Sequence, residues 1–291
     1  MTLIEATRAT FRRLHYSPRT EEAYLHWIRE LVRFHQGRHP RGLEAAELTA
    51  FLNHLAVERS TSASTQNQAL CAILFLYRRV LELELPALEG LDRAQRPEHL
   101  PTVLGRKDAL AVIERLEPPF RLIGELLYGS GLRLLECMRL RVKDVDLERR
   151  QITVRRGKGE VDRPALLPLR LREGLSAQLA EVKRRHELEL AARRGEVDLP
   201  QALRVKMPSA ATSLAWQYLF PASRPCTDPA TGRPVLHHLH ESAVQKAVVR
   251  AAGTDIRTIQ TLLGHKDVRT TMIHTHIVDR GPLGVVSPLD R

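Results

Sequence analysis

Cysteine is scarce in this chain of 291 residues, and the scarcity already narrows its chemistry. Cys71, Cys137 and Cys226 are odd in number and widely spaced. That pattern excludes a disulfide framework and fits a reducing compartment, so a cytoplasmic protein is expected. Long hydrophobic runs are also missing. No apolar stretch approaches the ~20 residues that a membrane-spanning helix needs, so a membrane is not an expected partner. The opening MTLIEATRATFRRLHYS mixes charges through its apolar positions, unlike a secretory leader. No internal repeat recurs at solenoid spacing. Tyrosine runs out early: none follows Tyr218, and the C-terminal stretch holds no phenol hydroxyl.

What is present describes a folded chain with one basic half. Hydrophobic residues make up 43% and charged residues 27%, a balance that supports a core rather than disorder. Such a length fits one large domain or two modest ones. The formal net charge is +11. Residues 1–105 carry 13 basic and 12 acidic side chains, whereas residues 106–291 carry 32 and 22. An excess of one sign confined to one half is the electrostatic footprint of a polyanion, most often nucleic acid. Charge alone equally describes a basic surface with no such partner.

The first 83 residues predict four helices. Leu3 to Leu14 forms the first, and Thr20 is the expected cap of a second that carries Tyr24, Trp27, Ile28, Leu31 and Phe34 on one face. Leu43 to Val57 repeats the periodicity through Leu48, Phe51, Leu52 and Leu55. Ser60 to Ser64 is rich in capping residues, and the helix after it presents Leu70, Ile73, Leu74, Tyr77 and Val80. Four amphipathic helices make a compact bundle over residues 1–85. Pro86, Pro97 and Pro101 then disfavour helix, which predicts a linker over 86–105 and a second domain over 106–291.

That second domain opens with expected helices at Lys107–Leu116 and Phe120–Tyr128, a flexible Gly129–Gly131, and a helix from Leu132 to Leu140. Gln151 to Arg156, Gly157-Lys158-Gly159 and Val161 to Leu167 read as a hairpin with a glycine-rich tip. Leu171, Leu175, Leu179 and Val182 mark a long basic helix, and Arg193 to Ala215 is less regular.

Two short motifs could carry chemistry. In Gly131-Leu132-Arg133-Leu134-Leu135-Glu136 an arginine stands at a loop-to-helix junction, where its planar fork can meet a phosphate. Arginine and glutamate one turn apart also describe an ordinary surface ion pair. Lys158, flanked by Arg155 and Arg156, lies at the hairpin tip, where a lysine can follow a groove and protonate a departing oxygen. Glycine-lysine-glycine equally describes a polar turn. The cluster His237, His238 and His240 lacks the cysteine partners and spacing of a zinc site.

The order of the elements adds to their separate weight. GLRLLE, RVKDVDLERRQITVRRGKG, YLFPASRPCTDPATGRPVLHHLHESAVQKAV and DIRTIQTLLGHKDVRTTMI, in that order, resemble a tyrosine recombinase of the integron integrase type. The resemblance runs from SPRTEEAYLHWIRELVRFH to GPLGVVSPLD, nearly the whole chain. It implies a mainly α fold: a helical core-binding domain followed by a mostly helical catalytic domain with a small β-hairpin. DNA is the implied partner, folded single-stranded sites included, with a tetramer of the protein assembled on it. No metal or cofactor is implied.

In that family a tyrosine attacks the scissile phosphate, while two arginines and an HxxR histidine offset the developing charge. By position, Arg133 matches the first arginine, Lys158 the proton-donating lysine and His265 the second histidine, and Arg155, Arg156 and Lys158 would face DNA. The residue after TTMI, where the family has its tyrosine, is His274. Residues 241–276 contain no HxxR, because Val248 to Gly253 runs directly into Thr254-Asp255-Ile256. About 30 residues, a loop and a helix, are absent there. Imidazole can attack phosphorus, but not readily without the second arginine. A recombinase by lineage that binds recombination sites without cleaving them is expected. The alternatives are a non-catalytic DNA-binding or subunit-interaction protein, or a damaged product without function.

Overall fold

A computed structural model describes residues 2–85, 104–155, 162–192, 194–199, 201–228, 232–252, 287 and 289. The fold is mainly α. The chain divides into two compact units, Met1–Glu98 and His99–Arg291. The proline-rich stretch expected to link two domains lies largely outside the described residues.

In the first unit α1 (Leu3–Arg13), α2 (Pro18–Phe34), α3 (Ala45–Val57) and α4 (Ala63–Phe75) surround one apolar core. Each helix start has a local chemical cause. Thr2 and Glu5 exchange hydrogen bonds in a capping box at α1. At α2 the cap is Ser17, not Thr20: the Ser17 Oγ accepts the Thr20 amide at 3.2 Å. Pro18 at the first helical position explains the shift, because its fixed φ suits that position and its missing N–H costs nothing there. Ser62 caps α4 in the same way.

Leu48, Phe51, Leu52 and Leu55 are all buried, as their spacing requires. The α4 rod runs on as a π-helical turn, Leu76–Leu81, closed by Glu82 at a left-handed φ of 54°. The Tyr77 hydroxyl donates to the Pro40 carbonyl at 2.6 Å, which ties the turn to the α2–α3 connection. Phe11 and Phe75 stack with centroids 4.2 Å apart, fixing α1 against α4.

The second unit holds α5 (Arg106–Glu114), α6 (Phe120–Ser130) and α7 (Leu134–Met138), then strands β1 (Val145–Asp146), β2 (Gln151–Val154) and β3 (Arg163–Leu166). The strands form an antiparallel sheet in chain order, with Ile152 opposite Ala165. Gly129 is helical here rather than a flexible break. α6 ends only at Gly131, whose φ of 61° is the left-handed geometry that glycine adopts without strain. α7 is correspondingly shorter than its apolar run suggested.

α8 (Arg172–Ala191) packs Leu175, Val182 and His186 inward. The stretch expected to be irregular contains α9 (Gln201–Lys206) and tight turns around a small core of Val197, Leu199, Ala210, Ala211 and Leu236. A two-residue pair, β4 (Cys226–Thr227) with β5 (Pro234–Val235), precedes α10 (Glu241–Ala252).

Residues far along the chain complete the main core of this unit. Leu289 is buried within it, and the Ser287 Oγ donates to the Gly129 carbonyl at 3.0 Å. A Cβ on Gly129 would lie 2.6 Å from Leu289 Cδ1 and 2.7 Å from Pro168 Cγ, so only glycine admits this approach unchanged.

Candidate functional site

Gly131 turns the chain so that Arg133 becomes the N-cap of α7. Three residues on, Glu136 returns to it twice. Its Oε2 accepts the Arg133 amide at 2.9 Å and its Oε1 accepts the Arg133 Nη1 at 2.8 Å. A second guanidinium reaches the same carboxylate from β3: Arg163 Nη2 donates to Glu136 Oε2 at 2.7 Å. The Glu136 side chain is 8% exposed, against 37% for Arg133 and 35% for Arg163. Burial pushes the Glu136 carboxyl up. The hydrogen bonds from Arg133 and the charge of Arg163 outweigh it, so the net shift is downward and the group is a carboxylate at neutral pH. Two cations thus share one buried anion, and both remain open to solvent.

A second cluster forms around Asp144. Its Oδ2 accepts the Arg141 amide at 3.0 Å and its Oδ1 accepts Arg155 Nε at 2.7 Å, with Lys143 Nζ 3.5 Å away. Arg155 also reaches Asp162 at 3.2 Å. The hydrogen bond to Asp144 raises the pKa of the Arg155 guanidinium further, so it stays charged. Arg141 lies 4.3 Å from the centre of the Tyr218 ring. It donates to the carbonyls of Trp216 and Asp198 and to the Tyr218 hydroxyl. Lys143 stands 4.1 Å over the Trp216 ring, and burial lowers its pKa.

These groups line a cavity of about 450 Å³ that His237 and His238 also face. The two imidazoles meet at a tilt of 48° with centroids 4.1 Å apart, and His238 meets Tyr218 edge-on. Burial pushes His238 down to about 4, so it is neutral at pH 7. Burial raises the Tyr218 phenol, which is therefore un-ionised and is no poised nucleophile. The cavity offers cations, hydrogen-bond donors and ring faces, a combination suited to an anionic or planar polar group.

The structure separates Arg133 and Arg155 into these two clusters. Arg156, Lys158, His265 and His274 lie outside the described residues. His240 caps its own turn through Ser242 at 2.8 Å. Among the described residues no group of three or more His, Cys, Asp or Glu side chains could hold a metal ion. No helix among them is long and apolar enough to cross a membrane.

Comparison with known proteins decides the lineage. Residues 3–87 match the phage integrase N-terminal SAM-like domain, and residues 106–280 match the phage integrase family. The chain belongs to the phage integrase family of tyrosine recombinases. An integrase/recombinase from Escherichia coli is 41% identical to it, covering 99% of this chain and 93% of that protein. The tyrosine recombinase XerA of Thermococcus kodakarensis is 30% identical, covering 90% and 86%. Among solved structures, the XerH recombinase bound to its difH substrate has a TM-score of 0.53 at 16% identity, covering 95% of this chain and 82% of that one. The Tn1549 transposon integrase with transposon right end DNA has 0.52 at 15%, covering 96% of each. At these identities the structures speak for the fold alone: an N-terminal helical domain and a catalytic domain of tyrosine recombinase type.

Within this family fold, Arg163, Arg141 and Tyr218 were not singled out from sequence. A signal for Arg141 existed. Arg141-x-x-Asp144 repeats the spacing of Arg133-x-x-Glu136, and in both the carboxylate caps the arginine's own amide.

Proposed function

We propose that this chain is an integron-integrase-type recombinase that binds recombination-site DNA but no longer cleaves it. One observation carries the reading: the TTMI motif is followed by His274, and no tyrosine follows Tyr218. The missing HxxR supports it, since phosphorane charge would meet only Arg133, Lys158 and His265. The alignment to the Escherichia coli relative supports it too. It extends over 313 residues, 22 more than the 291 of this chain, so that relative has residues without a counterpart here.

In this reading residues 1–85 form the core-binding bundle, 86–105 the linker and 106–291 the recombinase domain. Arg133 meets a DNA phosphate, Arg155, Arg156 and Lys158 follow the backbone, and His274 occupies the nucleophile position without acting as one. The partner is duplex or folded single-stranded recombination-site DNA in the cytoplasm, bound by a homotetramer without a cofactor.

The test pairs gel shift with covalent trapping on a nicked suicide substrate. Binding without adduct is expected. Covalent adduct from the parent protein overturns the loss of cleavage, and no binding at low salt overturns the DNA reading. His274→Tyr alone should yield no adduct, because losing even one preorganised donor costs ~10²–10³ in rate.

A further inference from the structure

The carboxylate of Glu136 is claimed by two guanidiniums, and the division between its oxygens is uneven. Oε1 serves the Arg133 side chain, while Oε2 serves the Arg133 amide and Arg163. Removing the Arg133 guanidinium therefore breaks one hydrogen bond at one oxygen. Glu136 keeps a cation and its capping bond. That matters because Glu136 is buried, and a buried carboxylate stripped of its only cation is strongly disfavoured.

We propose that Arg163 is a positioning residue: it holds the charge of Glu136 so that the Arg133 guanidinium can swing to a DNA phosphate. The inference rests on the reading that Arg133 meets such a phosphate. With Arg163 present, the change is an exchange of one acceptor for another. Without it, Arg133 is pinned as an internal ion pair at the start of α7. Both arginines are about one-third exposed, so a phosphate can approach Arg133 without unpacking the core. Glu136 then tunes how readily the arginine is released.

The experiment measures duplex DNA binding by fluorescence anisotropy between ~50 and ~200 mM salt, where each phosphate contact contributes about −0.9 to the log–log slope. Arg133→Gln should flatten the slope by one such contact. Arg163→Gln should flatten it by the same amount, although Arg163 itself touches no phosphate. Adding Glu136→Gln to Arg163→Gln should restore the parent slope, because an amide no longer detains Arg133 yet still caps the helix. Arg163→Lys should keep the parent slope. Glu136→Gln alone should tighten binding about two- to fivefold, the scale of one part-exposed ion pair. That arm stands even if Arg163→Gln fails to melt cooperatively.

An unchanged slope in Arg163→Gln overturns the inference. So does a flattened slope that Glu136→Gln does not restore, which would make Arg163 a direct phosphate contact. Equal or weaker binding by Glu136→Gln overturns it as well. A parent protein that binds no duplex at low salt overturns the DNA reading, and this inference falls with it.

Discussion

Arg141 and Arg133 are both half-buried arginines of the second unit, yet they are held in opposite ways. Arg141 donates to main-chain carbonyls at Trp216 and Asp198 and lies against the Tyr218 ring, with partners 57 to 77 residues away. Arg133 is held by one carboxylate three residues on, which Arg163 also claims. A guanidinium that satisfies remote carbonyls is a strut, because moving it orphans several groups at once. One that shares a neighbouring carboxylate can be recruited at little cost.

The largest effect that can break this contrast comes from Arg141→Ala. It should cost about 2 kcal/mol or more in urea unfolding of the second unit, since each carbonyl left without a donor costs about 1–3 kcal/mol. A loss below half of that would mean that water replaces the guanidinium freely.

Acid should strain the same cluster next. The His238 pKa falls from an unfolded value of about 6.5 to about 4 in the fold. Its contribution is intact above pH 6.5 and is lost as pH falls towards about 4, because the unfolded chain takes the proton first. His238→Gln should remove that part of the pH dependence measured by thermal melting. Identical profiles for parent and variant would place the acid sensitivity elsewhere.

Arg133→Ala should be far milder, below about 1 kcal/mol, as for part-exposed ion pairs generally. A cost matching that of Arg141→Ala would erase the distinction between strut and recruitable cation. Smallest of all is the response to a thiol reagent at pH 8. Cys71 and Cys226 are exposed and should react, whereas Cys137 is buried with its thiol pKa pushed up and should react only on unfolding. Rapid labelling of Cys137 would show that the core beneath α7 opens readily.

Long periodic helices were legible in the sequence because their burial is local: Leu48, Phe51, Leu52 and Leu55 lie on one stripe and sink together. The pairing of β2 with β3 was legible for a related reason, since their sequences flank the glycine-rich Gly157-Lys158-Gly159. The two-residue strands β1, β4 and β5 are too short to show any period. Arg141 was opaque because its acceptors are backbone carbonyls, which every residue carries. Only the fold says which ones converge. Ser17 rather than Thr20 capped α2 because Pro18 sets the helix start, a rule that outranks the later hydroxyl. Arg163 looked like one basic residue among many until β3 laid it beside Glu136.

The approach of Ser287 and Leu289 to Gly129 has a consequence for biosynthesis. The Gly129 carbonyl and the hydroxyl that satisfies it are separated by 158 residues of chain. At ribosomal speeds of ~5–20 residues per second, that gap corresponds to roughly 10–30 seconds of translation. Throughout this interval α6 exists without the leucine that fills the space beside its glycine. The second unit is therefore a late-closing fold: its core around Gly129 waits for residues made 158 positions later. A chain cut short before residue 287 would keep that seam open.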